Sequence, residues 1–129
     1  MNLVAQLGLV AVGGAAGAVA RYSVNLWLTL AGRTDFPYAT LTVNAIGSFI
    51  AGILLVLYTQ VYTSHGGWRL FAVVGFLGAF TTFSAFSVDT LQLLSGGHWR
   101  GACVNVALNL LLCLGLCGLG IAFTRAVIA

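Results

Sequence analysis

The stretch "GFLGAFTTFSAFS", residues 75–87, sets four phenylalanines among four hydroxyls. The rings are Phe76, Phe80, Phe83 and Phe86, and the hydroxyls are Thr81, Thr82, Ser84 and Ser87. A phenyl ring carries a negative face and a positive edge, and a hydroxyl donates a true hydrogen bond. A surface alternating the two suits a small, hard anion. It also avoids the grip of a buried arginine, which would hold an anion too tightly to let it pass. The same residues have a plainer use: rings as packing, hydroxyls bonded back to their own helix. Gly75 and Gly78 lower helix propensity, and the hydroxyls compete for backbone bonds, so a break in a helix is expected in this stretch. Inside a membrane, freed backbone groups must be met by protein, ion or water. Freed carbonyls make a cation site, and the N-terminus of a half-helix attracts anions.

Other polar residues stand in equally apolar surroundings. Asn44 interrupts "LTVNAIGSF". Asn105 and Asn109 are four apart, share one helical face, and are followed on that face by Cys113. Each asparagine is either a donor lining a polar track or a hydrogen-bonded link between helices. Arg21 either snorkels to an interface or lends positive potential to an anion vestibule. Asp89 follows Thr82 by seven residues and Phe86 by three, a spacing that places all three on one helical face. Such a carboxylate could carry a proton, pair with an arginine or stay in water. Cys103, Cys113 and Cys117 fall in one apolar segment, where small packing residues are expected rather than a metal or redox centre.

The elements that must position these groups follow from composition. The 129 residues are 60% hydrophobic and 5% charged, and the mean hydropathy is +1.06. That composition belongs to an integral membrane protein. A helix crosses the hydrocarbon with about 20 apolar residues, so the chain holds four spans and forms one transmembrane domain over residues 1–129. The spans are expected at about 3–30, 38–62, 70–94 and 101–123, joined by "AGRTDFP", "SHGGW" and "SGGHWR". Pro37 opens the second span, where its missing N–H costs nothing. Ala18-Val19-Ala20 looks like a signal-peptide cleavage site, but the preceding run is long and has no cationic start, so a retained first helix is expected.

The net charge of +3 comes from five arginines against Asp35 and Asp89, with no lysine. With so few cations the basic balance is no sign of a nucleic-acid partner, and none is expected; the termini carry no cluster of Lys or Arg for a polybasic lipid anchor. Arg69 and Arg125 flank one side of the spans, and Arg33 and Arg100 the other, with Arg21 a possible fifth. So even a balance predicts insertion in both orientations, and a chain inserted both ways can pair with itself antiparallel. Small-residue pairs suited to close helix packing recur: Gly13 with Gly17, Gly47 with Ala51, and Ser48 with Gly52.

The segments "GGAAGAVARY" (13–22), "TLTVNAIGS" (40–48) and "GFLGAFTTFSAFS" (75–87), in this order on four spans, resemble the small bacterial fluoride channels of the Fluc family, also called CrcB. The resemblance covers nearly the whole chain. It implies an all-α fold with a break in the third span, built as an antiparallel, dual-topology homodimer with two fluoride pores. It implies that Phe83 and Phe86 are the paired pore phenylalanines and Asn44 the pore asparagine. Thr82 and Ser84 supply hydroxyls to that pore, and Asn105 and Asn109 fall on its fourth-span polar track. A structural sodium ion would be held by the backbone carbonyls of Gly78 and Thr81. Arg21 and Asp89 would act electrostatically at the vestibule. Ala79 stands where the family usually has glycine, and Ala85 where it often has a hydroxyl.

The function expected from this resemblance is passive export of toxic fluoride across a bacterial inner membrane, with no bond broken and hence no enzyme. The negative-inside potential drives the anion outward. The alternative is a proton-coupled small multidrug exporter, also four-span and dual in topology. Such exporters use a buried carboxylate in the first span, and the first span here has no Asp or Glu.

Overall fold

The computed structural model describes residues 1–61 and 66–128. Helix α1 is Leu3–Leu30 and α2 is Tyr38–Val61. The third span, Gly66–Ser95, consists of α3 (66–80) and α4 (Phe83–Ser95). Helix α5 is Trp99–Ile128. Among the described residues these make four spans long and apolar enough to cross a membrane. The second span's expected end at Tyr62 lies outside the described residues, as do Ser64 and His65 of its connection. The third span starts four residues before its expected position. The fourth runs on to Ile128, because nothing in "TRAVI" stops a helix and Arg125 sits favourably in the last turn.

Capping follows the local sequence. The Asn2 side chain accepts from the Ala5 N–H at 2.9 Å and starts α1. Pro37 occupies the cap position of α2. Gly32 and Gly97 take positive φ, 72° and 76°, just after α1 and α4, where a side chain would be strained. These turns and the starts of α2 and α5 meet at one end of the bundle. A cleft there is lined by Asp35, Phe36, Leu93, His98 and Trp99. Arg33 and Arg100 therefore belong to that end, while Arg69 and Arg125 belong to the other.

Helices in lipid gain little from apolar contact with one another, so close approach of small residues decides the packing. The bundle is two tight pairs. On α1, Gly13 and Gly17 lie against the backbone of Phe71 and Phe76 in α3. Gly75 faces back toward Val10 and Gly13, so a β-carbon at any of these three positions would collide with backbone. In the second pair, Gly52 of α2 lies against Cys117 of α5, and Gly120 of α5 against Phe49 of α2. The third span joins the pairs: α3 packs along α1, and α4 packs along the start of α5. The buried apolar core is small, with Val43, Val56, Leu77, Phe80 and Ala102 at its centre.

The backbone leaves helical geometry within the third span at Thr81 (φ −84°, ψ 158°) and Thr82 (φ −153°, ψ 116°). Of the glycines and hydroxyls that the sequence offered as weak points, Gly75 and Gly78 stay helical, Gly75 within π-helical turns over Leu70–Leu77. Gly78 has φ −59° and ψ −33°, and Gly75 serves close packing against α1. The extended residues are the threonines: Thr82 finds its partner off the helix axis, on Asn44, while Thr81 bonds back to Leu77.

Candidate functional site

The extended pair leaves backbone groups that neither α3 nor α4 can satisfy. Some are met within the chain. The Thr81 N–H and the Thr81 hydroxyl both donate to the Leu77 carbonyl, at 3.0 and 2.9 Å. Thr82 caps α4: its hydroxyl oxygen accepts from the Ala85 N–H at 3.1 Å. It also pairs with the Ser84 hydroxyl at 3.2 Å.

Asn44 takes the backbone of Thr82 itself. Its Oδ1 accepts from the Thr82 N–H at 2.8 Å, and its Nδ2 donates to the Thr82 carbonyl at 3.1 Å. The side-chain amide stands in for a peptide across a two-bond bridge. Its second Nδ2 hydrogen goes to Asn109 Oδ1 at 3.0 Å. Asn109 in turn donates to the Asn105 carbonyl and Asn105 Oδ1, both at 3.0 Å. Asn105 donates to the Thr90 hydroxyl at 2.9 Å, and Thr90 to the Phe86 carbonyl at 2.7 Å. Helix α5 widens to π-helical turns over Leu108–Leu112, around Asn109. Such widening loosens the i→i−4 ladder and is common where a side chain competes for a backbone carbonyl.

On one side of this amide row lies an open groove of about 420 Å³. Its wall includes Asn44, Ser48, Gly78, Thr81, Thr82, Phe83, Phe86, Asn109 and Cys113 and, among the described residues, no charged one. Phe83 is 75% exposed, the extreme for a ring at the middle of a span. Its centroid lies 5.2 Å from that of Phe86, with planes tilted by 53°. Phe76 and Phe80 stack instead at 5.6 Å, with Phe80 buried. The four rings therefore divide: Phe80 packs the core with half-buried Phe76 stacked on it, and Phe83 and Phe86 line the groove.

On the other side lies a second cleft of about 380 Å³, lined by Arg21, Tyr22, Asn25, Thr40, Thr82 and Asp89 among others. Asp89 accepts from the Thr40 hydroxyl at 2.6 Å. Thr82 lines both cavities, so this extended residue stands between them. The expected common face of Thr82, Phe86 and Asp89 is divided: Phe86 turns to the groove and Asp89 to the cleft, while Thr82 meets both.

A family model described as CrcB-like protein, Camphor Resistance (CrcB), matches residues 8–121. The chain belongs to the CrcB family. A fluoride-specific ion channel FluC of Magnetococcus marinus is 45% identical over 126 residues, covering 95% of this chain and 99% of its own. Another, from Idiomarina loihiensis, is 48% identical over 113 residues, covering 88% and 87%. A third, from Saccharophagus degradans, is 42% identical over 120 residues, covering 92% and 89%.

In this CrcB chain the residues singled out from sequence fall into three places. Asn44, Thr82, Phe83, Phe86 and Asn109 line the groove, with Gly78 and Thr81 at its edge. Ser84 is exposed beside Thr82. Arg21 and Asp89 share the cleft. Asn105 is fully buried, behind Asn109 and lining neither cavity. Sequence reasoning missed Thr90 and Thr40, which hold the far ends of the two polar sets. Both were visible as hydroxyls near polar residues, Thr90 one helical turn beyond Phe86 and Thr40 one turn before Asn44.

The Leu77 carbonyl receives Thr81, but beyond it the last carbonyls of α3 have no following helical amide. Gly78 is exposed, and nothing but the Val73 carbonyl, at 3.9 Å, lies near its open side. Carbonyl oxygens at the negative end of a helix form a hard donor set. Exposed carbonyl oxygens of this kind are the donor chemistry that a hard monovalent cation takes.

Proposed function

We propose that this chain forms a passive, fluoride-selective channel. One observation carries the reading: Phe83 and Phe86 present their rings to an uncharged groove walled by Asn44, Thr82 and Asn109. Its relatives, named as fluoride-specific ion channels, agree with it. Ring edges, hydroxyls and the N-terminus of α4 each offer partial positive charge without a full cation. An anion there is desolvated gently and can leave, which conduction requires. Arg21 at the adjoining cleft would raise the local concentration of anions, and Asp89 would moderate it.

The groove is open along one flank of the chain, where Phe83 would face lipid. A second copy covers it in this reading, with the two subunits antiparallel and two pores per dimer. The balance of arginines at the two ends supports both insertions. The carbonyls of Gly78 and Thr81 would hold a structural sodium ion at that interface, supplying positive charge that links the two broken spans. The membrane would be the bacterial inner membrane, where the potential expels the anion without any enzymatic step.

A proton-coupled exporter needs its carboxyl in the translocation groove. Asp89 instead lines the outer cleft with Thr40.

The test is fluoride efflux from liposomes holding the purified protein, with valinomycin and a potassium gradient clamping the voltage. Fast fluoride release without chloride release supports the channel, and Phe83→Ile abolishes it while the dimer stays intact. A well-folded dimer that releases no fluoride overturns the reading.

A further inference from the structure

The row of amides behind the groove forms one continuous, directed relay. It starts at the backbone of Thr82, runs through Asn44 of α2 and through Asn109 and Asn105 of α5, and returns to α4 at Thr90 and the Phe86 carbonyl. Its two ends lie four residues apart, on either side of Phe83.

The direction of every link is dictated by the ends. The Thr82 N–H can only donate and its carbonyl can only accept, so Asn44 must present Oδ1 to one and Nδ2 to the other. The second Nδ2 hydrogen then points at Asn109, which must answer with Oδ1. That turns Asn109 Nδ2 toward Asn105, which must answer with Oδ1 in its turn. Asn105 Nδ2 is left facing Thr90, whose hydroxyl accepts that bond and donates onward to the Phe86 carbonyl. No amide in the row can flip without setting donor against donor. Chains of this kind strengthen link by link in a low-dielectric interior.

We infer that Asn105 is a positioning residue: through Thr90 and Asn109 it locks the first turn of α4, and with it the rings of Phe83 and Phe86, against α2 and α5. It is fully buried and lines neither cavity, so it acts on an ion only through others. The N-cap bond from Ala85 to Thr82 and the loop of the relay close on the same turn from opposite sides. Rotation of α4 must break a bond to another helix at Thr82 or at Thr90. The consequence for conduction rests on the fluoride-channel reading; the relay itself does not.

The experiment is amide hydrogen exchange by NMR on the full-length protein in lipid nanodiscs, comparing the parent with Asn105→Leu, Thr90→Val and Thr90→Ser. Asn105→Leu cuts the relay in its middle with a side chain of similar size. Thr90→Val removes its last two links, from Asn105 and to Phe86, and Thr90→Ser keeps the hydroxyl. The expected result is that Asn105→Leu and Thr90→Val speed exchange of the Thr82 amide by at least about tenfold through local opening. The amides of the α2–α5 contact around Gly52 and Gly120 keep their rates, and Thr90→Ser behaves as the parent. In liposomes the same two variants lose fluoride-over-chloride discrimination by at least about tenfold and Thr90→Ser retains it. Unchanged Thr82 exchange in folded Asn105→Leu and Thr90→Val overturns the inference. So does a rise shared equally by the Gly52 and Gly120 contact, which would make Asn105 a general packing residue. A parent protein that conducts no fluoride removes the functional reading and leaves the exchange comparison standing.

Discussion

Replacing Asn44 with alanine removes three hydrogen bonds at once, of 2.8, 3.1 and 3.0 Å. Polar bonds between membrane helices average about 0.6 kcal/mol each, so counting bonds alone gives a loss of about 2 kcal/mol. Counting omits what is left behind. The Thr82 N–H, the Thr82 carbonyl and Asn109 Oδ1 keep their polarity and lose their partners. Thr82 and Asn109 are each 8% exposed, so water reaches them poorly. A buried group left unsatisfied costs about 1–3 kcal/mol. At the low end of that range, suited to groups bordering a groove, three orphans total about 3–4 kcal/mol. The orphan cost therefore exceeds the bond count, and Asn44→Ala should destabilise the folded protein by about 3–4 kcal/mol. Equilibrium unfolding in mixed micelles titrated with dodecyl sulfate measures it. The same argument requires Asn44→Ala with Asn109→Ala to cost less than the sum of the single changes, because Asn109 Oδ1 is no longer there to be stranded. A loss under about 1 kcal/mol, or strict additivity of the pair, refutes the reasoning.

Gly17→Val places a side chain against the Phe76 carbonyl of α3, where backbone cannot give way; it should cost about 3 kcal/mol or prevent folding, read as loss of the monodisperse species on gel filtration. Gly8→Val, which meets open space, is the neutral control. Asp89→Asn keeps an acceptor for Thr40 but leaves Arg21 unopposed in the cleft, so anion flux should rise at low salt. The gain should vanish near 1 M salt, where the screening length falls to about 3 Å. Arg21→Gln should move flux the opposite way with the same salt dependence, read in the same liposome assay. Thr82→Ala removes the cap of α4 and its bond from Ala85, and should cost about 1 kcal/mol of stability in the same micelle titration.

Much of the site was legible before any fold was known. Asn44, Thr82, Phe83 and Phe86 stood out as polar groups and rings in an apolar span, and the structure gathers them on one groove. Arg21 and Asp89 were separate candidates, and they share a cleft. Three points were not legible. The departure from helical geometry was expected somewhere in residues 75–87, from glycines and hydroxyls together, and propensity is too weak a prior to single out a residue. The extended residues are Thr81 and Thr82, because the Asn44 amide is in place to receive the backbone there. The four phenylalanines were equivalent by pattern, whereas packing buries Phe80 and leaves Phe83 on the groove. The alternative roles of Asn105 and Asn109, track or link, divided between them: Asn109 borders the groove and Asn105 lies behind it.

What the sequence determined by itself was the solvent, the four spans and the family. Each is a property that sums along the chain: hydropathy over about 20 residues, turn residues between the runs, and motifs in order. What only the tertiary structure decided was the pairing of polar atoms. Asn44 meets Thr82 across 38 residues and Asn109 across 65. Hydrogen bonds are short and directional, so their partners follow from where α2, α4 and α5 cross. That crossing is set by glycines that let backbones touch, and no local pattern of side chains encodes it.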